Sequence, residues 1–200
     1  MDVIDVLEKD HRRVEELFAR FKGGGGITGL VKRVTGNVSQ RERRTALESI
    51  CRELTVHAAV EEEVVYPAVQ ATGDQELRRL VDESLREHAR VKELVAELRG
   101  RDPQEEDVDT KASELQECVD HHVKEEENEM FPRLRDVMPD QRRAELGRRV
   151  QERKRAHAPR ATPRRAASVK RPAARIRRGR KTATSRAKTK AAKKRSRRGR

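Results

Sequence analysis

Two stretches of this 200-residue chain are copies of one pattern. The first is His57-Ala58-Ala59-Val60-Glu61-Glu62-Glu63-Val64-Val65-Tyr66-Pro67, and the second is His122-Val123-Lys124-Glu125-Glu126-Glu127-Asn128-Glu129-Met130-Phe131-Pro132. Each reads His, three residues, Glu, four residues, an aromatic, Pro. A His and a Glu four apart lie one turn apart on one face of a helix. The flanking residues decide which face that is. Leu47, Ile50 and Leu54 lead into His57 and Glu61, with Val64 and Ala68 beyond; Leu115 and Val119 lead into His122 and Glu126, with Met130 and Leu134 beyond. These are the three- and four-residue steps of a core-facing stripe. Both pairs stand where Leu or Val is expected, and a carboxylate there is costly unless it is paired or bound to a cation.

Outward from these stretches the chain reads as helices throughout. A first helix from about Asp2 to Lys22 has the stripe Ile4, Leu7, His11, Val14, Phe18, Phe21, so His11 again takes a core position. Gly23 to Gly26 end it, and the connection through Asn37 is longer than usual between helices, with a short helical turn expected near Leu30 to Val34. The second helix spans about Gln40 to Ala71, with Ser39 as its cap and Pro67 expected to kink or end it. The third covers about Asp74 to Arg99, with the stripe Leu77, Val81, Ser84, His88, Val91, Val95, Leu98, and stops at Gly100. The fourth runs from about Glu105 to Asp136. A short fifth, about Asp140 to Arg155, offers Leu146 and Val150 for docking. The lone-His helices also repeat: His11-Arg12-Arg13-Val14-Glu15-Glu16-Leu17 matches His88-Ala89-Arg90-Val91-Lys92-Glu93-Leu94. The expected fold is all-α: two like hairpins forming an up-down-up-down four-helix bundle, an architecture that carries metal sites in its core.

Charge divides the chain at about residue 155. Residues 151–200 hold 22 Lys and Arg and one acidic residue, Glu152; the first 150 hold 26 basic and 34 acidic residues, a net of −8. The overall +13 therefore belongs to the tail. Residues 1–155 are read as the helical domain and 156–200 as a disordered Lys/Arg/Ala/Pro-rich tail, too poor in apolar residues to fold alone. Runs such as Arg177-Arg178-Gly179-Arg180-Lys181 suit phosphate backbones, and the lack of stacking aromatics argues against base reading, so nonspecific nucleic-acid binding through residues 157–200 is expected. The tail's composition resembles that of linker-histone tails. No segment has the ~20 apolar residues of a membrane span. The N-terminus has no signal-peptide pattern, and two cysteines, Cys51 and Cys118, make no disulfide framework. A cytoplasmic, nucleoid-associated location is expected.

The candidate metal ligands are His11, His57, Glu61, His88, His122 and Glu126. His121 with Glu125 is a competing register of the same spacing. Imidazole plus carboxylate suits iron, manganese or zinc. Six ligands exceed one structural zinc and suit two metals about 3.5–4 Å apart, bridged by carboxylates. Over roughly residues 1–150 these motifs resemble the hemerythrin-like family, the HHE cation-binding domain. That resemblance implies a non-heme di-iron centre in a four-helix bundle that binds dioxygen, peroxide or nitric oxide. It also implies that His11 and His57 serve one iron and His88 and His122 the other, with Glu61 and Glu126 as bridges. Oxygen-carrying members have a further His where this chain has Lys92, which points away from reversible oxygen carriage and toward sensing, peroxide or nitric oxide chemistry, or iron handling. Tyr66 and Phe131 are expected to be core packing. The other class of function is a DNA-compacting architectural protein whose bundle is a spacer or dimerisation module. An enzyme with a turnover substrate has no support beyond the open coordination position.

Overall fold

A computed structural model describes residues 1–23 and 39–157. The helical turn expected near residues 30–34 and the tail beyond residue 157 lie outside the described residues. Within them all regular structure is helical. Helix α1 (Val3–Phe21) starts at a capping box in which the Asp2 side chain accepts the Ile4 N–H and Asp5 accepts the Asp2 N–H. Helix α2 (Gln40–Val60) starts the same way, with Ser39 and Glu42. It continues through a π-helical turn, π1 (Glu61–Val65), into α3 (Tyr66–Gln70). Helix α4 (Gln75–Leu98) is capped by Asp74 and leaves through Gly100, whose φ of 79° is a left-handed conformation that glycine adopts without strain. Helix α5 (Val108–Glu125), the turn π2 (Glu126–Met130) and α6 (Phe131–Val137) repeat the α2–π1–α3 plan. Helix α7 (Asp140–His157) closes the described chain.

The second helix does not end at Pro67 but runs past it to Gln70 by way of π1, and the fourth runs past Pro132 to Val137 by way of π2. Pro67 and Pro132 have no N–H, and the proline ring crowds the carbonyl four residues back. The helix answers with one wide turn just before each proline: Tyr66 N–H donates to Glu61 O, and Phe131 N–H to Glu126 O, each five residues back. The extra residue also moves the buried stripe on by one. Ala68, expected in the core, is half-buried, while Val65, Tyr66 and Val69 are buried.

Packing joins α1 to α2, α4 to α5, and α2 to α4. The interior falls into two apolar clusters. One holds Ile4, Leu7, Val64, Val69, Leu77 and Phe131; the other holds Val14, Phe18, Ile50, Leu54, Val91 and Leu115. In sequence, His11, His57, His88 and His122 each fall between the two sets, so a polar band crosses the core at mid-height. Helix α7 docks on α1, α2 and π1 through buried Leu146 and Val150. Beneath it the buried Arg143 donates to Asp2 and Asp140 at 2.8 Å and to the Met138 carbonyl. Gly147 is needed at this contact, because a Cβ there would lie 2.5 Å from Met1 O and 3.0 Å from Val3 N, both backbone atoms. Gly147→Ala should therefore lose about 1–3 kcal/mol in thermal unfolding, as overpacked cores do. A shift within about 0.5 kcal/mol, the scatter of neutral surface changes, would show that the contact yields freely. Among the described residues no helix is long and apolar enough to cross a membrane.

Candidate metal centre

Each of the four long helices delivers one imidazole to the polar band: His11 from α1, His57 from α2, His88 from α4 and His122 from α5. Glu61 and Glu126 open the two π turns. None of the six is more than 7 % exposed. They form two sets, His11, His57, Glu61 and Glu126, and Glu61, His88 and His122; within each, one ligand atom per residue lies within 4.8 Å of all the others. Glu61 belongs to both. The Nε2 atoms point inward: His57 Nε2 is 3.1 Å and His88 Nε2 3.3 Å from Glu61 Oε2, and His11 Nε2 is 3.4 Å from Glu126 Oε2.

Whether these residues fit a cation can be read from what they lack. His11 Nε2, both nitrogens of His57, both oxygens of Glu61 and Glu126 Oε2 are buried without a hydrogen-bond partner. Orphaned buried polar atoms are rare in folded proteins, and five of these six, all but the outward His57 Nδ1, face one another from α1, α2–π1 and π2, where cations among them would account for them. A neutral-imidazole and carboxylate set without thiolate suits Fe, Mn or Zn.

Carboxylates outside the six-residue ligand set face the outward nitrogens. His11 Nδ1 lies 2.9 Å from Glu127, His88 Nδ1 3.0 Å from Glu62, and His122 Nδ1 2.8 Å from Glu87. Asp10 stands 3.7 Å from His57 Nδ1, too far for a hydrogen bond. Such a partner makes Nδ1 the protonated nitrogen and leaves Nε2 free for a metal. The signal was present in the repeat. Asp10 and Glu87 each immediately precede a lone His, while Glu62 and Glu127 each immediately follow a site Glu. Three of the four carboxylates are in turn bound by cations: Glu127 by Arg12 at 2.8 Å, Glu62 by Lys92 at 2.6 Å, and Asp10 by Lys154. Lys92 therefore ends on Glu62, which already holds His88, rather than among the inner ligands. Removing these holders should weaken metal binding while leaving the ligands in place. Glu62→Gln and Glu127→Gln should each lower affinity about 10–100-fold in chelator competition; unchanged affinity would show that the imidazoles are fixed by packing alone.

Tyr66 corrects another expectation. Its ring is buried, as core packing requires, but its hydroxyl donates to Glu126 Oε1 at 3.2 Å and lies 3.3 Å from His88 Nε2. Phe131, its counterpart in the second copy, has no hydroxyl and stacks on His11 with ring centroids 6.0 Å apart. The centre is thus unlike on its two sides.

Burial raises the Glu61 carboxyl well above its usual range, and the adjacent Glu126 adds to this. Burial acts on Glu126 too, but His122, His11 and His57 outweigh it and hold that carboxylate low. Burial drives the His57 imidazole down to about 4 and also lowers His88. For His11 and His122 burial is overcome by neighbouring carboxylates, Glu126 foremost, and both are raised. A cavity of about 20 Å³ adjoins the centre, bounded by all four imidazoles and by Val14, Leu54, Val91 and Val119. That is room for one water-sized molecule.

This band of imidazole and carboxylate across a helical core defines a family of cation-binding bundles. The chain matches the hemerythrin HHE cation binding domain over residues 2–134, and it belongs to that family. It is also similar to a "DNA nickase" from Nostoc sp. (strain PCC 7120 / SAG 25.82 / UTEX 2576), 26 % identical over 137 residues, which are 68 % of this chain and 34 % of that protein. The chain thus spans about a third of that relative's length. No solved structure matches the chain significantly.

Proposed function

We propose that the chain is a non-heme di-iron protein that binds or senses a small oxidant or diatomic molecule (dioxygen, peroxide or nitric oxide) or handles iron. In this reading the helices form an up-down-up-down four-helix bundle. His11 and His57 would hold one iron and His88 and His122 the other, with the carboxylates of Glu61 and Glu126 supplied between them, as the family resemblance implies. The observation that carries it is the pairing of two ligand sets through Glu61 with a cavity sized for one small molecule beside all four imidazoles. The bound metal pair would supply redox and small-ligand coordination chemistry. The chain's own residues do the rest. Glu62, Glu87 and Glu127 orient the imidazoles, the valine and leucine walls exclude bulk water, and the Tyr66 hydroxyl offers a proton at Glu126 Oε1. Lys92, tied to Glu62, leaves no imidazole at its position, which favours sensing or iron handling over oxygen carriage.

Residues 157–200 are proposed to tether the protein to nucleic acid nonspecifically through phosphate contacts. Their Lys/Arg content supports this, and so does the word "DNA" in the relative's name. The test is metal content and visible absorption after iron-replete expression and anaerobic purification. Iron at two per chain, matching the two ligand sets, is expected; a zinc-only or metal-free product would overturn the reading. The competing reading, a DNA-compacting protein with the bundle as spacer or dimerisation module, is favoured only by the basic segment. Deleting residues 157–200 separates the two: on the first reading iron is fully retained while DNA binding is lost, and on the second all activity is lost. If ten phosphates are neutralised, log affinity for duplex DNA should fall against log salt with a slope of about −9.

A further inference from the structure

The two halves of the centre differ on their outer faces. Beside His57, the carboxylate of Asp10 is closed off by Lys154 from α7. The residues one before and three after that His are Val56, partly buried, and Val60, buried, both packed in the core. Beside His122 the corresponding positions are Glu87, His121 and Glu125. Helix α7 packs on α1, α2 and π1 instead, and His121 is 63 % exposed. His121 and Glu125 repeat the His-x3-Glu spacing of the inner pairs, one residue out of phase, so they face outward. His121 Nε2 lies 3.3 Å from Glu87 Oε1 and 3.4 Å from Glu125 Oε1, and one ligand atom from each of the three residues lies within 4.8 Å of the other two. Among the described residues neither carboxylate is paired with Arg or Lys. Glu87 is thus the one of the four carboxylates beside these imidazoles without such a partner. Its other oxygen, Oε2, accepts from His122 Nδ1 at 2.8 Å.

We propose that Glu87, His121 and Glu125 form a surface site for a hard divalent cation, Fe2+ or Mn2+, at which iron docks before it enters the inner centre. One imidazole and two carboxylates, with open positions for water, suit such ions. The missing Lys or Arg is the vacancy in charge that the cation fills. Because Glu87 touches both His121 and His122, an ion at the surface shares a carboxylate with an imidazole of the inner centre, and the two sites are coupled through it. The docking role rests on the inner centre being an iron site; the existence of the surface site does not.

The test uses the full chain, iron-loaded, titrated with Mn2+ and followed by the electron paramagnetic resonance of the free ion. Wild type should bind an extra Mn2+ per chain that His121→Gln/Glu125→Gln does not. His157→Gln, which alters another imidazole beside a glutamate (Glu63, 3.4 Å), should leave the count unchanged. Equal counts in wild type and the double variant overturn the site. In stopped-flow uptake of limiting Fe2+ by metal-free protein in aerated buffer, where dioxygen oxidises the bound iron to the absorbing ferric form, the double variant should load several-fold more slowly to the same final absorbance; equal rates overturn the docking role. Should wild type take up no iron, the inner reading fails, while the difference in Mn2+ count still decides the surface site.

Discussion

Glu61→Leu should empty the centre of both metal ions and, in their absence, make the protein more stable. The carboxylate is fully buried and neither oxygen has a hydrogen-bond partner. An unsatisfied buried polar group costs about 1–3 kcal/mol, and a leucine, one bond shorter and wholly apolar, carries no such penalty. The metal-free variant should therefore gain stability of that order. Glu61 is also the one residue common to both ligand sets, so the gain from metal should vanish altogether. Glu126→Leu should behave differently. Glu126 accepts the Tyr66 hydroxyl and is the carboxylate that most favours the charged form of His11 and His122, so its loss would take away a buried hydroxyl's acceptor and the counter-charge of two imidazoles. Metal-free Glu126→Leu should be no more stable than wild type. Unfolding midpoints of the three proteins in chelator decide the matter. A metal-free Glu61→Leu less stable than wild type would mean that this carboxylate is held in place for the fold and not for a cation.

The same contrast explains how much could be read from the residues alone. The stripes through His11, His57, His88 and His122 announced a helical core with imidazoles inside it, because helical periodicity is a local property of sequence. The register after Glu61 was not legible, because it depends on how the helix accommodates Pro67. Counting in threes and fours placed Ala68 inward, whereas the π turn put Val69 there and carried Tyr66 to the edge of the centre. Lys92 was legible only as a missing imidazole, since sequence shows a position on a helix but not a partner on another. That partner, Glu62, sits 30 residues away on π1. The outer carboxylates were half legible. Their repeated places beside His and Glu were visible, but which of many glutamates turned inward depended on contacts between hairpins, such as Glu127 with His11.

Those inward-held charges also fix how the protein should respond to pH. His11 and His122 are raised above the ordinary 6.5, so around and just above that pH the metal-free folded protein holds imidazole protons that the unfolded chain has released. Its stability must then fall as pH rises through that range, since stability declines wherever the folded state binds more protons. His57 and His88, lowered by burial, act in the opposite sense, but only at lower pH, where the unfolded imidazoles are charged. Metal binding requires the bare imidazole and carboxylate, so loading expels these protons, and affinity should rise about tenfold per pH unit for each proton displaced. The thermal midpoints of the chelated and iron-loaded proteins should accordingly draw apart as pH is raised from about 6 to 8. A gap that stays constant or narrows over that range would mean that the buried imidazoles and Glu61 are already deprotonated before the metal arrives, and that the polar band is held open by something other than the cations it is built to receive.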